Sequence, residues 1–164
     1  MKHRVVITGM GVVAPNAVGL DNFLAAIQQG RSGITFHQKL QDLKFSCCIG
    51  GIPPVSEAMK NKYLTPLQLR GFDSAGILYG CIAGMDAWKD AGFVIDKNSP
   101  IDYNSGMVFG TGTSGIEKFR EAIYKLDDQK VKRLGSTVVV QTMASGISAY
   151  LGGILGVGNQ VTTN

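Results

Sequence analysis

RVVITGMGVVAPNAVGLDNFLAAIQQGRSGI, running from Arg4 to Ile34, is the stretch on which the fold turns. Arg4 to Thr8 is β-branched and almost continuously apolar, the pattern of a strand buried on both faces. Gly9-Met10-Gly11 ends it. Asp21 then suits a helix N-cap. Phe23, Leu24 and Ile27 recur at helical spacing through Gln29, and Gly30 closes the segment. Strand, glycine turn and helix in that order are the opening of an α/β protein.

Working outward, residues 31–66 read as irregular, with Gly50-Gly51 and Pro53-Pro54 as breakers. Leu67 to Asp90 carries the longest helical signal, with Leu69, Phe72, Leu78, Tyr79, Ile82 and Trp88 set among small residues, and Ala91-Gly92 stops it. Ser105 to Phe109 reads as a second buried strand, and Ile116 to Leu126 as a more polar helix. Thr137 to Val140 leads into a small-residue helix, Met143 to Leu155, and Gln160 to Thr163 starts a further strand. The predicted order is β-α-α-β-α-α-β. Three strands are few for a buried sheet, which suggests that residues 1–164 are an incomplete domain.

Composition narrows the class. With 45% hydrophobic and 17% charged residues the chain is globular, not disordered. A net charge of +4, not gathered into runs, argues against nucleic acid as the partner and leaves room for an acidic protein. Cys47, Cys48 and Cys81 are odd in number and lack CxxC spacing, so neither a disulfide framework nor a metal site is expected, and the expected compartment is the reducing cytoplasm. Met1-Lys2-His3-Arg4 before an apolar stretch imitates a signal peptide, but Gly9, Gly11 and Pro15 interrupt it. No run reaches the ~20 apolar residues of a membrane span, so no membrane is expected.

Two glycine patterns match the dinucleotide fingerprint in form: Gly9-Met10-Gly11-Val12-Val13-Ala14 and Gly110-Thr111-Gly112-Thr113-Ser114-Gly115. Pro15 stands where the first would need its helix, and Asp127 and Asp128 close a helix when the second would need an acid ending a strand. Structural turns are the reading for both. No nucleophile–base pair emerges either. Cys48 is followed by Ile49-Gly50-Gly51, Cys81 sits in a helical pattern as a small hydrophobe, and His3 and His37 read as surface residues.

Taken together the segments resemble a known family. Arg4–Ile34, RGFDSAGILYGCIAGMDAWKDAG (Arg70–Gly92), GMVFGTGTSG (Gly106–Gly115) and QTMASGISAYLGGILGVGNQVTTN (Gln141–Asn164) are similar, in order and over essentially the whole chain, to the N-terminal portion of β-ketoacyl-acyl-carrier-protein synthases. The resemblance implies an α/β fold of the thiolase-like type, layered α/β/α/β/α, of which this chain covers part of the N-terminal half. It implies an acyltransferase that condenses an acyl thioester with malonyl-carrier protein in fatty acid or polyketide-like synthesis, without a cofactor. The nucleophilic cysteine is expected about three positions after Asn164 and the two histidines later still, so no catalytic residue is expected in this chain. An alternative is a non-catalytic, chain-length-factor type subunit. The resemblance assigns Thr113 and Met143 to the acyl pocket and Arg70 and Lys132 to docking of the acidic acyl carrier protein, although Leu67 and Gln129 stand where further basic residues belong. It also implies a homodimer through the Gln160–Asn164 strand.

Overall fold

A computed structural model describes residues 3–164; Met1 and Lys2, the start of the signal-like opening, lie outside the described residues. The core forms where two small-residue helices cross. Helix α5 (Ala75–Asp90) packs on α8 (Gly146–Leu155), burying Ile77, Leu78, Cys81 and Met85 against Ile147 and Leu151. The approach is close because α5 carries glycines on the contact face. A Cβ at Gly84 would lie 2.2 Å from Leu151 Cδ2, and one at Gly80 would lie 2.7 Å from Ile147 Cγ2. The small residues of both helices are therefore a packing device.

The long helix predicted over Leu67–Asp90 is two helices. Thr65 caps α4 (Pro66–Gly71) with a capping box, its side chain accepting from Gln68 N while Gln68 reaches back to Thr65 N. The chain then extends at Phe72 (φ −140°, ψ 90°) and restarts at Ser74. The break is stabilised from far along the sequence: Gln141 Oε1 accepts from Asp73 N (3.0 Å) and Ser74 N (2.9 Å), and Glu117 Oε1 accepts from Ala75 N (2.9 Å) and Ser74 Oγ (3.0 Å). These satisfy N–H groups that a helix start leaves without an internal partner.

Residues 31–66 are more ordered than their composition suggests. Strand β3 (Ile34–Phe36) pairs antiparallel with β4 (Ile49–Gly51), Ile34 opposite Gly51 and Phe36 opposite Ile49, with α2 (Gln38–Asp42) between them and α3 (Glu57–Tyr63) after them. Upstream, β1 (Val13–Ala14) and β2 (Ala17–Val18) make a tight hairpin over Pro15-Asn16. Gly33 of the GRSGI turn is pressed on that hairpin, where a Cβ would stand 2.2 Å from the Pro15 carbonyl carbon. Helix α1 (Leu20–Gln28) starts at Gly19, so Asp21 lies in the first turn and favours the helix through its charge instead of capping it.

The expected buried strand Arg4–Thr8 is corrected by the structure. No described residue forms a ladder with it, and Val5 and Ile7 are 94% and 87% exposed. Apolar character on both faces signals burial only where neighbouring strands and helices supply the cover. The second predicted strand shortens to β5 (Met107–Phe109), pairing in parallel with β6 (Val161–Thr163): Met107 opposite Val161, Phe109 opposite Thr163. Val108 is 82% exposed, so this pair too is covered on one face only. The remaining elements are α6 (Ile116–Asp127), a short 3₁₀ turn (Val131–Arg133) and α7 (Val138–Thr142), which the elbow at Met143 separates from α8. Among the described residues no helix is long and apolar enough to cross a membrane.

Candidate functional site

The parallel pair β5–β6 aims both carboxyl ends at the Gly110–Gly115 loop. Asn164 N donates to Phe109 O (3.1 Å), and Thr111 N donates to Asn164 O (2.9 Å), which lays Asn164 alongside the loop. The carboxyl ends of parallel strands are where open α/β sheets collect their ligand groups. Thr113 is exposed on this loop, and its carbonyl accepts from Thr111 Oγ1 at 3.0 Å. Gly115 adopts φ 63° at the start of α6; a Cβ there would fall 2.0 Å from Gln141 O. The loop can therefore close onto the end of α7 only with glycine at this position.

Met143 follows that contact by two residues. It is extended (φ −81°, ψ 142°), 48% exposed, and its carbonyl accepts from Gly146 N at 3.0 Å. The Thr113 loop and the Met143 elbow are thus drawn to one place by the Gly115–Gln141 contact. A hydrogen bond between Ser148 Oγ and Thr163 Oγ1 ties α8 to β6 beside them. Sequence reasoning missed Gln141 and Glu117. Their partners lie 42 to 68 positions away, and no local pattern announces such pairs. The nearest local sign was Ser74, a capping residue type shortly after Gly71.

The cysteines and histidines are scattered. Cys81 is fully buried in α5, and burial pushes its thiol up to about 12, so it stays protonated and inert. Cys47 is exposed and Cys48 half-buried, both leading into strand β4 with no helix start beside them. His37 closes the β3–β4 pairing, with Nε2 3.1 Å from Gly50 O, and His3 is exposed. Among the described residues no three His, Cys, Asp or Glu side chains gather as metal ligands would. The first glycine pattern has a packing role: Cβ atoms at Gly9 and Gly11 would lie 2.3 Å from Ala87 O and 2.0 Å from Ala83 O, both on α5.

Arg70 is exposed in the last turn of α4, and Lys132 is exposed in the 3₁₀ turn. Among the described residues neither is in an ion pair. Their segments meet nearby, since a Cβ at Gly71 would lie 3.7 Å from Thr137 Cγ2. Leu67 is 75% exposed on α4, and Gln129 takes φ 58° in the turn after α6.

The chain as a whole is similar to known proteins. Residues 2–163 match the family described as β-ketoacyl synthase, N-terminal domain. The chain belongs to that family. The 3-oxoacyl-[acyl-carrier-protein] synthase 1 of Escherichia coli (strain K12) is 31% identical over 154 residues, covering 90% of this chain and 36% of that protein. Among solved structures, a β-ketoacyl synthase from Burkholderia phymatum STM815 superposes with a TM-score of 0.73 at 22% identity, over 96% of this chain and 38% of that one. A type II polyketide ketosynthase, solved in complex with its acyl-carrier protein and bound to the hexaketide, superposes with a TM-score of 0.71 at 20% identity, over 96% of this chain and 36% of that one. The fold is therefore the thiolase-like α/β fold of the ketosynthases. This β-ketoacyl synthase chain spans little more than a third of the length of the relatives it matches.

Proposed function

We propose that the chain is the N-terminal portion of a β-ketoacyl-acyl-carrier-protein synthase, an acyltransferase that joins an acyl thioester to malonyl-carrier protein. The carrying observation is the convergence of the Thr113 loop, the Met143 elbow and Asn164 within a chain of this family. In the proposed reaction a cysteine thiol displaces the carrier's thiol to take the acyl group. The malonyl thioester then loses carbon dioxide, and the resulting carbanion attacks the acyl carbonyl and expels the cysteine thiolate. The nucleophile and its two histidines are assigned to positions after Asn164; residues 3–164 contribute the scaffold and part of the acyl pocket. Thr113 lies at the far end of that pocket and Met143 forms its wall. No cofactor takes part.

Arg70 and Lys132 are the proposed docking residues for the acidic carrier protein. Their exposure and lack of carboxylate partners support this, as does a ketosynthase of the same fold solved with its carrier. Rim charges of this kind set association rate and its salt dependence more than the final affinity. The homodimer is proposed through β6, whose edge away from β5 is unpaired among the described residues.

The test is to read the coding sequence past Asn164 and assay the native polypeptide with acyl- and malonyl-carrier protein. A cysteine within a few positions, blocked by a cysteine-directed ketosynthase inhibitor with loss of condensation, is the expected result. A folded native polypeptide with a different residue there and no condensation would overturn the enzyme reading in favour of the chain-length-factor type subunit.

A further inference from the structure

Helix α5 starts on Ser74, a residue type that ordinarily caps a helix by turning its hydroxyl oxygen to the free N–H groups of the first turn. Here it does not. Ser74 makes no side-chain cap; its hydroxyl donates instead to Glu117 Oε1 of α6 at 3.0 Å, and its N–H donates to Gln141 Oε1 of α7 at 2.9 Å. Glu117 Oε1 also accepts from Ala75 N at 2.9 Å. One fully buried serine thus holds two side chains that arrive from 43 and 67 positions away.

Capping alone is the plain alternative, since the helix dipole favours a carboxylate at a helix start wherever it comes from. The serine hydroxyl would serve that purpose locally, without reaching another helix. What the long-range arrangement adds is position. Glu117 stands four residues after Thr113, and Gln141 two residues before Met143. Their segments touch where Gly115 rests on the Gln141 carbonyl, but a single contact of this kind leaves the loop free to pivot about it. Glu117 on Ser74 supplies a second fixed point. Other restraints on this end of the loop are weaker. Ser114 is 8% exposed and lies over Gly76, yet its hydroxyl has no partner among the described residues and adds no directed bond. Lys118 pairs with Asp73 at 2.8 Å, but Asp73 is exposed, and a pair with one solvated partner contributes little.

We propose that Ser74, Glu117 and Gln141 are positioning residues that together set the gap between the Thr113 loop and the Met143 elbow, and so the length of acyl chain the protein accepts. The inference rests on the condensing-enzyme reading and on the pocket roles given there to Thr113 and Met143. None of the three need touch the acyl chain; they act through the backbone that carries the two lining residues. Without the Glu117 tether the loop yields to a longer chain. A hydrophobic pocket altered by the space of one methylene changes discrimination between neighbouring substrates by about tenfold or more.

The experiment measures kcat/KM of the native polypeptide for straight-chain acyl-carrier proteins from hexanoyl to hexadecanoyl, in the parent and in Glu117→Ala, Glu117→Gln and Ser74→Ala. Glu117→Ala should raise the ratio of long-chain to short-chain kcat/KM about tenfold. Glu117→Gln keeps an acceptor oxygen and should restore most of the parent profile. Ser74→Ala keeps both backbone N–H bonds and loses only the hydroxyl, so it should shift the ratio in the same direction by less. A merely structural role would lower the melting temperature, or slow every chain length equally, with the profile unchanged. Hydrogen exchange, read without substrate, should quicken at the buried Ser114 and Gly115 in Glu117→Ala. Should Glu117→Ala fail to fold, Ser74→Ala alone decides. A parent that condenses no acyl chain of the series overturns the condensing reading, and this role with it. A condensing parent whose chain-length profile stays the same in every variant that folds, or whose loop exchange is unchanged by Glu117→Ala, overturns the positioning role alone.

Discussion

Replacing Gln141 with Leu removes the acceptor that holds the break between α4 and α5. Gln141 is 4% exposed, and its carbonyl oxygen takes two backbone N–H groups, of Asp73 at 3.0 Å and Ser74 at 2.9 Å, while its amide donates to Thr137 Oγ1 at 3.2 Å. Leucine fills a similar volume but leaves both N–H groups unpaired. A stranded buried donor costs about 1–3 kcal/mol. Ser74 is fully buried, whereas Asp73 is exposed and water can partly serve its N–H. The expected loss is therefore about 2–4 kcal/mol, a large part of the ~5–15 kcal/mol that stabilises an ordinary domain. Thr137→Val removes only the amide's partner and should cost about 1 kcal/mol. Urea denaturation of the native polypeptide gives the global loss. Amide hydrogen exchange of residues 72–78 gives the local one, since the first turn of α5 should open before its middle. If Gln141→Leu costs no more than Thr137→Val, or if exchange at Asp73 and Ser74 stays as slow as in the parent, the side chain does not hold the break.

Burial pushes Cys81, Tyr63 and Tyr150 up to about 12, from 9.0 for the thiol and 10.0 for the phenols. Groups that keep their proton in the fold stabilise it fully below their unfolded values. Stability should thus fall as pH rises from about 9 towards 12, and fall less steeply in Cys81→Ala, as followed by thermal melts across that range. Iodoacetamide at pH 8 should label Cys47 in the folded protein and Cys81 only after denaturation, read by mass spectrometry. The Tyr150 hydroxyl is buried without a partner among the described residues, so Tyr150→Phe should leave the urea midpoint unchanged or raise it. Gly11→Ala would put a Cβ 2.0 Å from Ala83 O and should destabilise by about 1–3 kcal/mol, whereas Gly153→Ala, in α8 with open space around it, should stabilise by about 0.5–1 kcal/mol. Arg70→Glu with Lys132→Glu should weaken carrier-protein association several-fold at low salt and leave thiol reactivity alone, and unchanged association would remove both from the docking surface.

Local chemistry alone determined much of the chain. Gly30 and Gly92 stop their helices with positive φ, the polar helix α6 runs where its periodicity places it, and Val161–Thr163 is a strand as its β-branched run requires. The ordered segments also carried the family, because a series of short motifs is specific where each alone is not. What remained was decided by contacts that no sequence window spans. Leu67–Asp90 is helical in composition throughout, and only Gln141 and Glu117, arriving from elsewhere, make two starts out of one helix. The segments carrying Thr113 and Met143, 30 positions apart, meet because Gly115 can press its Cα on the end of α7. Arg4–Thr8 has the sequence of a buried strand, yet burial belongs to the neighbours and not to the segment, and without a ladder its side chains stand exposed. Lys62 and Lys89 lie 27 positions apart, and α3 and α5 bring both to one tyrosine ring. Propensity and hydrophobic period act over a few residues, while satisfaction of helix ends, glycine contacts and charge clusters is a property of the packed chain.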